Sequence, residues 1–553
     1  MTRESDVPKN VRTSQTHPLK IDELTVPGLS GVIGMTLCPG KRGDSVYGPP
    51  WRRDLERDLA VIRDWAPAAV VTLMEEHEFA ASGIPEFPDI MRGEPFIWYF
   101  LPIRDLDVPG KEFEGRWEHD GLRIKALLAG GQRVLLHCRG GLGRTGTVAA
   151  RLLVEFGVEP EEAIRQVRAA RPGTIETAAQ KMHVLNCRRR PWRRTASHYD
   201  GCLLGGAVGD ALGWPVEFKS VDEIRSQFGP EGIVDPVPNA QGLFEITDDT
   251  QMILFTAEGL LRAGTRARHK GIGPSFASCG YYAYRRWLVT QDELNGEEVS
   301  CDGWLMTVQG LYQRRAPGST CLSALKQGRR GRIEEPLNNS KGCGAVMRMA
   351  PVGLFMQSLY ICGFLDKEQR DEYAFRTGCE LGALTHGHPS GYLPAGCLAL
   401  LVARIIDGET LNAALDVAEA ALATWPGHGE ILLALRAARQ LAEDPSVMPS
   451  QDAIARLGEG WVGEEALAIA IYCALVADGD FARGVRLAVN HGGDSDSTGA
   501  ITGNILGSLL GKEAIPAPWL EQLELRGVIE TVASDLLAGT REGEDWWRRY
   551  PGH

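Results

Sequence analysis

The sequence predicts two domains of different fold class, an α/β domain followed by an all-α domain. In the first third of the chain, apolar runs alternate with amphipathic stretches, which is the pattern of buried strands separated by helices. From about residue 200 onward the strand pattern is lost, and stretches rich in Ala, Leu and Gly follow one another. A basic segment over 187–200, with five Arg around Pro191, breaks both periodicities.

We therefore place the domain boundary within this basic segment. The chain then has an N-terminal extension (1–24), an α/β domain (25–190), a basic linker (191–199), an all-α domain (200–540) and a C-terminal tail (541–553). Of the 553 residues, 44% are hydrophobic and 24% are charged, so the chain has apolar material for two cores.

Apolar runs and helical periodicity predict the individual elements. Buried strands are expected over 68–74, 96–103 and 133–138. Helices of the first domain are expected over 51–65, 115–130, 145–157 and 160–170. Helices of the second domain are expected over 251–263, 391–407, 410–424, 430–442, 464–477 and 498–511.

Composition argues against several classes of function. The formal net charge of −13 opposes a broad surface for duplex nucleic acid, so nucleic acid is not an expected partner. The chain starts without an apolar leader, and we find no run of about 18 apolar residues, so we expect no membrane association and a cytoplasmic location. The 12 Cys include no Cys-x-x-Cys pair, which indicates free thiols and no zinc site.

Two stretches of the all-α domain carry a Gly at every fourth position, namely Gly201, Gly205, Gly209, Gly213 and Gly499, Gly503, Gly507, Gly511. Residues four apart share one face of a helix, so each ladder strips the side chains from that face. Each interior Gly costs a helix about 1 kcal/mol relative to Ala. We therefore expect another helix or a ligand to approach these faces closely.

The segment HCRGGLGRT (137–145) follows the third predicted strand and opens a helix. Its three Gly let the loop curl, so that backbone N–H groups and the helix N-terminus point at one spot that suits a phosphate dianion. Cys138, stabilised as a thiolate by these dipoles, is expected to attack phosphorus while Arg144 binds two phosphate oxygens. Thr145 is expected to donate to the leaving sulfur, and the remaining phosphate-binding positions are Arg139, Gly140, Gly141, Leu142 and Gly143. The alternative is a small buried Cys in a tight turn.

HCRGGLGRTG resembles the signature of the protein tyrosine and dual-specificity phosphatases, and the resemblance extends over roughly 25–190. It is strongest with members related to the kinase-associated phosphatase. The resemblance implies a cysteine-phosphatase fold, a central sheet flanked by helices, and cofactor-free hydrolysis of phosphate monoesters through a thiophosphate intermediate.

The same family places a general-acid Asp some thirty residues before the Cys, on a mobile loop. PIRDLDVPG offers Asp105 and Asp107, and we prefer Asp105 because it fits the family's Pro-Ile-x-Asp pattern; the alternative is a pair of solvated loop acids. Gln180 matches a position near the hydrolytic water in some members. It also completes a Thr177-x-x-Gln180 capping box, which is the role we favour. His137 is expected to orient the loop.

Acidic and hydroxyl residues gather at two predicted helix starts that are far apart in sequence, TDDT (247–250) and HGGDSDST (491–498). Each alone is typical of a helix N-cap. Brought together, their carboxylates and hydroxyls are the hard oxygen ligands that one or two Mg²⁺ or Mn²⁺ ions prefer. Without a cation, mutual repulsion would require partial protonation.

Five segments in order resemble the ADP-ribosylglycohydrolase family: 201–217, 247–250, 339–353, 385–389 and 491–503. The resemblance implies an all-α fold with two divalent cations, Mg²⁺ or Mn²⁺. The implied metal ligands are Thr247, Asp248, Asp249, Asp494, Asp496 and Ser497, the last at a place where many relatives have Thr. Glu217 matches an acid close to the metals that gates or assists the reaction, so we count it as catalytic.

The implied ADP-ribose site comprises Asn339, Gly342, Gly344, Ala345, Met347 and His386. Asp210 is expected to be structural, and Arg348 is as compatible with a structural salt bridge as with the site. His386 and His388 either meet the ligand or pack within the fold, and we favour packing for each.

Together these features predict a bifunctional hydrolase. The second domain is expected to cleave the N- or O-glycosidic bond of an ADP-ribosylated protein or a small ADP-ribosyl compound with metal ions. The first is expected to act on a phosphorylated protein or a small phosphate ester. The alternatives are a regulatory binding protein for ADP-ribose or phosphate, and a hydrolase of a different N-glycoside or small nucleotide.

Overall fold

The computed structural model describes residues 11–26, 30–44, 48–187, 193, 195–271, 273–294 and 299–552. Parts of the predicted extension (1–10) and linker (191–192 and 194), with His553 of the tail, lie outside the described residues. The chain divides into two compact units, residues 1–192 and 193–553. The first unit is α/β and the second is helical, which confirms the predicted fold classes.

The first unit is built on a five-stranded sheet with the order β1-β2-β7-β5-β6. These strands are β1 (Asp22–Thr25), β2 (Val32–Leu37), β5 (Ala69–Thr72), β6 (Ile97–Phe100) and β7 (Arg133–Cys138), while β3 (Arg42–Gly43) and β4 (Trp51–Arg52) pair separately. Only β1 runs antiparallel to its neighbour in the large sheet. Seven helices accompany the strands among the described residues: α1 (Leu55–Trp65), α2 (Glu76–Ala81), α3 (Phe87–Arg92), α4 (Lys111–Ala129), α5 (Gly143–Glu155), α6 (Pro160–Ala170) and α7 (Ala178–Leu185).

Three strands, β5, β6 and β7, lie within the apolar runs that predict them. β7 and β5 lie inside the sheet and are buried almost throughout, as is typical of continuously apolar parallel strands, whereas β6 lies at one edge and is partly exposed. The sequence analysis missed β1 and β2. β1 is only four residues long and alternates buried with exposed positions, and it begins at Asp22, inside the stretch assigned to the extension.

The second unit is helical throughout its described elements. Its helices are α8 (Ala196–Gly213), α9 (Val221–Phe228), α10 (Asp248–Lys270), α11 (Phe276–Thr290), α12 (Ser319–Lys326), α13 (Ala350–Ile361), α14 (Lys367–Ala383), α15 (Pro389–Ile406), α16 (Leu411–Leu422), α17 (Gly429–Glu443), α18 (Gln451–Ile454), α19 (Gly463–Val476), α20 (Phe481–Val489), α21 (Ser495–Leu510), α22 (Ala517–Glu521), α23 (Arg526–Ala538) and α24 (Glu544–Arg549). A short 3₁₀ helix spans Cys343–Arg348.

Two of these helices extend into segments that were set apart from the domain. α8 begins at Ala196, within the predicted linker. α24 lies in the predicted tail, where Trp546 is buried and its indole N–H donates to Thr265 Oγ1 at 3.0 Å. The end of the chain therefore packs into the core of the second unit.

Among the described residues, α15 is the one helix that is long and apolar enough to cross a membrane, and 94% of it is buried inside the protein. That burial is typical of a core helix in a globular domain. Pro, Ser, Gly and Arg interrupt the apolar residues of α15, so the helix is not a continuous apolar run.

The two glycine ladders face each other. α8 and α21 pack antiparallel, with Gly201 against Gly507, Gly205 against Gly503 and Gly209 against Gly499. A Cβ added to any of these Gly would overlap the opposite backbone. The expectation of a close helix neighbour is thereby confirmed, and each ladder is the partner of the other.

Candidate active sites

The loop between β7 and α5 curls around the sulfur of Cys138. This residue ends β7 and is 3% exposed, and the backbone N–H of Gly141 donates to its Sγ at 3.2 Å. Gly141 has a φ of 72°, and a Cβ there would overlap the carbonyl of Thr36. Glycine is therefore required for both the backbone conformation and the close approach to β2.

Arg144, in the first turn of α5, is buried beside Cys138. Its guanidinium forms a bidentate ion pair with Glu78 of α2, at 2.5 and 2.9 Å, and donates to the carbonyl of Ile103 at 3.0 Å. Burial opposes the charge of Arg144, but the pair with Glu78 outweighs burial and raises its pKa. Arg144 is therefore a fixed cation. The sequence analysis missed Glu78.

Of the two candidate general acids, Asp105 is the one that contacts Arg144, with Oδ1 2.9 Å from Nη2. The Asp105 side chain is 56% exposed, so its carboxyl group is accessible from solvent. The carboxylate of Asp107 instead accepts from the N–H of Val108. Gln180 forms the capping box with Thr177 and also donates to the backbone carbonyl of Asp107 at 3.2 Å.

Two further residues of this loop have different surroundings. Thr145 Oγ1 is buried and has no hydrogen-bond partner among the described residues. His137 Nε2 lies 2.7 Å from Thr72 Oγ1, and burial lowers the pKa of this His to about 3. His137 is therefore neutral at physiological pH, and its hydrogen bond with Thr72 joins β7 to β5.

In the second unit, a cavity of about 460 Å³ gathers the acids that the sequence places far apart. Asp248 and Asp249 come from the start of α10, and Asp494 and Asp496 from the start of α21. Carboxylate oxygens of Glu217, Asp494 and Asp496 lie within 4.8 Å of one another. The glycine-lined packing of α8 on α21 brings Gly213 against Asp496, and Glu217 follows shortly after Gly213.

The charges of this cluster fit divalent cations. Burial, and then the charges of Asp496 and Asp494, raise the pKa of Glu217 to about 10. Glu217 Oε2 and Asp249 Oδ2 are buried and have no partner among the described residues. Buried carboxylates without a counter-charge are costly, and Mg²⁺ or Mn²⁺ would neutralise them.

The predicted ligands differ in how the protein holds them. Thr247 caps α10, and its Oγ1 accepts from the N–H of Asp249 at 3.3 Å. Asp248 accepts from the N–H of Gly318 at 3.1 Å. Ser497 lies in the cavity wall with Asp248, Asp249, Asp494 and Asp496, whereas Thr247 lies outside the lining.

Asp210 of α8 holds the start of α10 in place through hydrogen bonds. It is fully buried, and its carboxylate accepts from the backbone N–H groups of Thr247 and Thr250 and from the Thr250 hydroxyl. These bonds use N–H groups that the start of α10 would otherwise leave unpaired. Asp210 thus has the structural role expected for it.

The predicted ADP-ribose residues divide into two groups. Gly342, Gly344, Met347 and His386 line the cavity, whereas Asn339 is exposed and Ala345 is buried, both outside the lining. His386 Nδ1 lies 2.8 Å from Thr385 Oγ1, and burial, followed by the charge of Arg348, lowers its pKa to about 3. His388 caps α15 through a bond from the N–H of Ser390 at 3.0 Å.

Arg348 forms no salt bridge with any described residue. Its guanidinium donates to Thr385 Oγ1 at 2.7 Å and lies 4.3 Å from the ring centroid of Tyr284. The salt-bridge alternative for this residue was therefore wrong, and an aromatic face and a hydroxyl take the place of a carboxylate.

An aromatic pair in the cavity wall was missed. Phe218 and Trp461 stack with ring centroids 5.4 Å apart, and they are 68% and 37% exposed. Phe218 also has a φ of 64°, which is unusual for a residue with a side chain. An aromatic residue next to Glu217 is the one signal for this pair that the sequence offers.

Comparison with known families agrees with both predicted resemblances. Residues 192–545 match the family model described as ADP-ribosylglycohydrolase, which covers more than half of the chain. The chain belongs to the ADP-ribosylglycohydrolase family. Residues 68–184 match the model described as the DSP-PTPase phosphatase domain of Swiss Army Knife proteins. Both predicted resemblances are confirmed, and both domains are of hydrolase families.

Individual relatives match one domain or the other. An uncharacterized protein of Archaeoglobus fulgidus is 29% identical over 346 residues, which are 61% of this chain and 95% of the relative. The ADP-ribosylarginine hydrolase Tri1 of Serratia proteamaculans is 25% identical over 61% of this chain and 78% of its own. Cyclin-dependent kinase inhibitor 3 of Rattus norvegicus is 27% identical over 27% of this chain and 69% of its own.

As in other members of the ADP-ribosylglycohydrolase family, metal dependence is expected of the second unit. The acids around its cavity supply an oxygen-rich ligand set of the kind that dependence requires.

Proposed function

We propose that the second unit removes ADP-ribose from a modified protein or a small ADP-ribosyl compound, using two Mg²⁺ or Mn²⁺ ions. The first unit is proposed to hydrolyse phosphate monoesters through Cys138. The observation that carries the first proposal is the convergence of Glu217, Asp494 and Asp496 in one cavity. The relative Tri1 is an ADP-ribosylarginine hydrolase, which supports a glycosidic substrate.

In the glycohydrolase site, Asp248, Asp249, Asp494 and Asp496 would hold the ions, with Ser497 and Thr247 as hydroxyl ligands. Bound ions supply Lewis-acid activation of water and of ribose hydroxyls. Glu217 Oε2, which has no protein partner among the described residues, is free to hold a water or a ribose hydroxyl. The N–H groups at the starts of α10 and α21 offset negative charge at the cluster.

The phosphatase reaction follows from the loop. Cys138 Sγ attacks phosphorus and the bond to the leaving oxygen breaks, while Asp105 gives that oxygen a proton. Arg144 and the loop N–H groups bind the remaining phosphate oxygens. Water then attacks the thiophosphate with Asp105 as base, and the Thr145 hydroxyl donates to the departing sulfur.

The metal cluster is tested by Asp496→Asn in the full chain. We expect loss of Mn²⁺ binding by calorimetry and loss of ADP-ribose release from ADP-ribosylarginine, with no change in aryl phosphate hydrolysis. Asp222→Asn, on the exposed face of α9, is the matched control. Release of ADP-ribose that persists in the variant or in excess chelator would contradict the proposal.

The cysteine mechanism is tested by Cys138→Ser. We expect hydrolysis of an aryl phosphate to fall at least about a thousandfold while vanadate still binds, because the loop N–H groups and Arg144 remain. Cys187→Ser, also in the first unit, should retain full activity. A chain that binds both ligands but turns over neither would be a binding protein.

A further inference from the structure

We propose that the first unit has a second anion subsite, formed by Lys41 and Arg139 beside the Cys138 loop. It would select phosphate monoesters that carry a second phosphoryl group close to the one hydrolysed. This inference rests on the proposed phosphatase function and names the substrate class of that site.

The turn after β2 places Lys41 next to the loop. Leu37 pairs with Cys138 in the register of β2 and β7. The next residue, Cys38, donates its backbone N–H to the carbonyl of Arg139 at 3.5 Å. Lys41 N–H in turn donates to the Cys38 carbonyl at 3.4 Å, so the backbone of Lys41 leaves this turn beside Arg139.

A buried ion pair holds this turn rigid. The backbone N–H of Gly40 donates to Asp58 Oδ2 at 2.9 Å. The Asp58 carboxylate is itself held by Arg53 at 2.7 and 2.8 Å, and both side chains are 1% exposed. A pre-ordered turn costs little further entropy when a ligand binds to it.

The two cations lack a counter-charge. Among the described residues neither Lys41 nor Arg139 forms an ion pair, whereas Arg144 pairs with Glu78 and Asp105. Both unpaired side chains are partly exposed. Burial, and then the nearby Arg139 guanidinium, lower the pKa of Lys41, while Cys38 and Cys138 raise it. The Lys41 ammonium is thus within electrostatic reach of both Arg139 and the nucleophile.

The cations of this unit would bind two different phosphoryl groups. The reacting phosphoryl group takes the loop N–H groups and Arg144, whose charge Glu78 and Asp105 already offset. A second phosphoryl group a few bonds away meets Lys41 and Arg139, two cations that a substrate with one phosphate leaves to water. Relief of their mutual repulsion adds to the attraction for that second group.

Binding to the full-length Cys138→Ser variant tests the subsite without turnover. By calorimetry at low salt, pyrophosphate should bind about tenfold more tightly than orthophosphate, the effect of one charge-assisted hydrogen bond in a partly exposed site. Adding Lys41→Met should remove most of this preference and leave orthophosphate affinity within about twofold. Lys41→Arg should keep the preference.

Lys181→Met is the matched control, because Lys181 is exposed on α7 and forms no ion pair with any described residue. It should leave both affinities unchanged. Equal affinity for the two anions in Cys138→Ser, or an equal loss of both on Lys41→Met, would overturn the subsite. If the wild-type chain hydrolyses no aryl phosphate but Lys41 still controls pyrophosphate binding, the phosphatase proposal fails and the subsite remains.

Discussion

The two catalytic units differ in how their sites are encoded. In the first, a contiguous segment of nine residues, from the end of β7 to the first turn of α5, carries the proposed nucleophile, the loop N–H groups and the Arg144 cation. In the second, the acids come from helix starts separated by most of the domain, and they meet only when α8 and α21 pack. A local site depends on turn chemistry, whereas a dispersed site depends on the whole fold.

The difference also appears in the charges. The first site is cationic and keeps Arg144 in place with the buried carboxylate of Glu78. The second is anionic, and its carboxyl groups have raised pKa values because burial and their neighbours penalise the charge. The first unit is thus ready for an anion from its own residues, whereas the second needs cations to complete it.

Gly503→Val should have the largest effect, and it should affect the second unit alone. A side chain there would overlap the backbone of Gly205, so we expect the second unit to lose at least about 3 kcal/mol of stability and its Mn²⁺ binding. Urea denaturation and calorimetry measure both effects, and aryl phosphate hydrolysis should be unaffected. Gly527→Ala, at an open helical position, should be neutral or stabilising. An undiminished Mn²⁺ affinity in Gly503→Val would refute the dependence on packing.

Glu78→Ala tests whether the site around Cys138 also depends on a residue outside its own loop. Without its bidentate partner, Arg144 loses its fixed orientation, so kcat/KM for an aryl phosphate should fall about 100-fold, or about 2.7 kcal/mol. Steady-state kinetics provide the measurement. Glu76→Ala on the same helix is the control. If both variants behave alike, Glu78 has no positioning role.

A smaller effect concerns how the stability of the first unit depends on pH. The pKa of buried His137 is about 3 against an ordinary value of 6.5, so below pH 6.5 the unfolded chain takes up a proton that the folded chain does not. Stability should therefore fall by about 2 kcal/mol between pH 6.5 and 5. Urea unfolding, followed by hydrogen exchange of β7 peptides, measures the slope. His137→Asn should flatten it, and an unchanged slope would exclude this cause.

The smallest effect concerns the aromatic pair of the second cavity. Removing Trp461 leaves Phe218 without its stacking partner, so KM for an ADP-ribosyl substrate should rise about tenfold, near 1.4 kcal/mol, with kcat within about twofold. Kinetics of Trp461→Ala check this against Phe364→Ala, an exposed aromatic outside the cavity lining. A fall in kcat alone would place Trp461 in a different role.

The sequence predicted most of what is contiguous. The Cys138 loop, the helix starts at Asp248 and Asp494, and the central strands all follow from patterns within a dozen residues. The glycine ladders predicted a close neighbour but not that each ladder contacts the other, because that pairing depends on helix direction and register.

Other features had little or no signal in the sequence. Glu78 sits in a short helix whose composition is that of any exposed first turn, and only the fold brings it to Arg144. The stacking of Phe218 on Trp461 likewise joins two segments with no shared pattern. The aromatic partner of Arg348, in place of a carboxylate, follows from tertiary contacts that periodicity does not record.

The backbone-to-backbone contact of α8 and α21 also fixes the distance between Glu217 and Asp496 in the second site. Because Gly faces Gly along this contact, the helices interlock at one register. A slip by one turn would shift Asp496 by about 5.4 Å relative to Glu217. We therefore expect that inserting or deleting a single residue in either ladder would abolish catalysis, although every acid would remain in the sequence. Redesign of this enzyme should accordingly vary the cavity rim and conserve the spacing of its glycines.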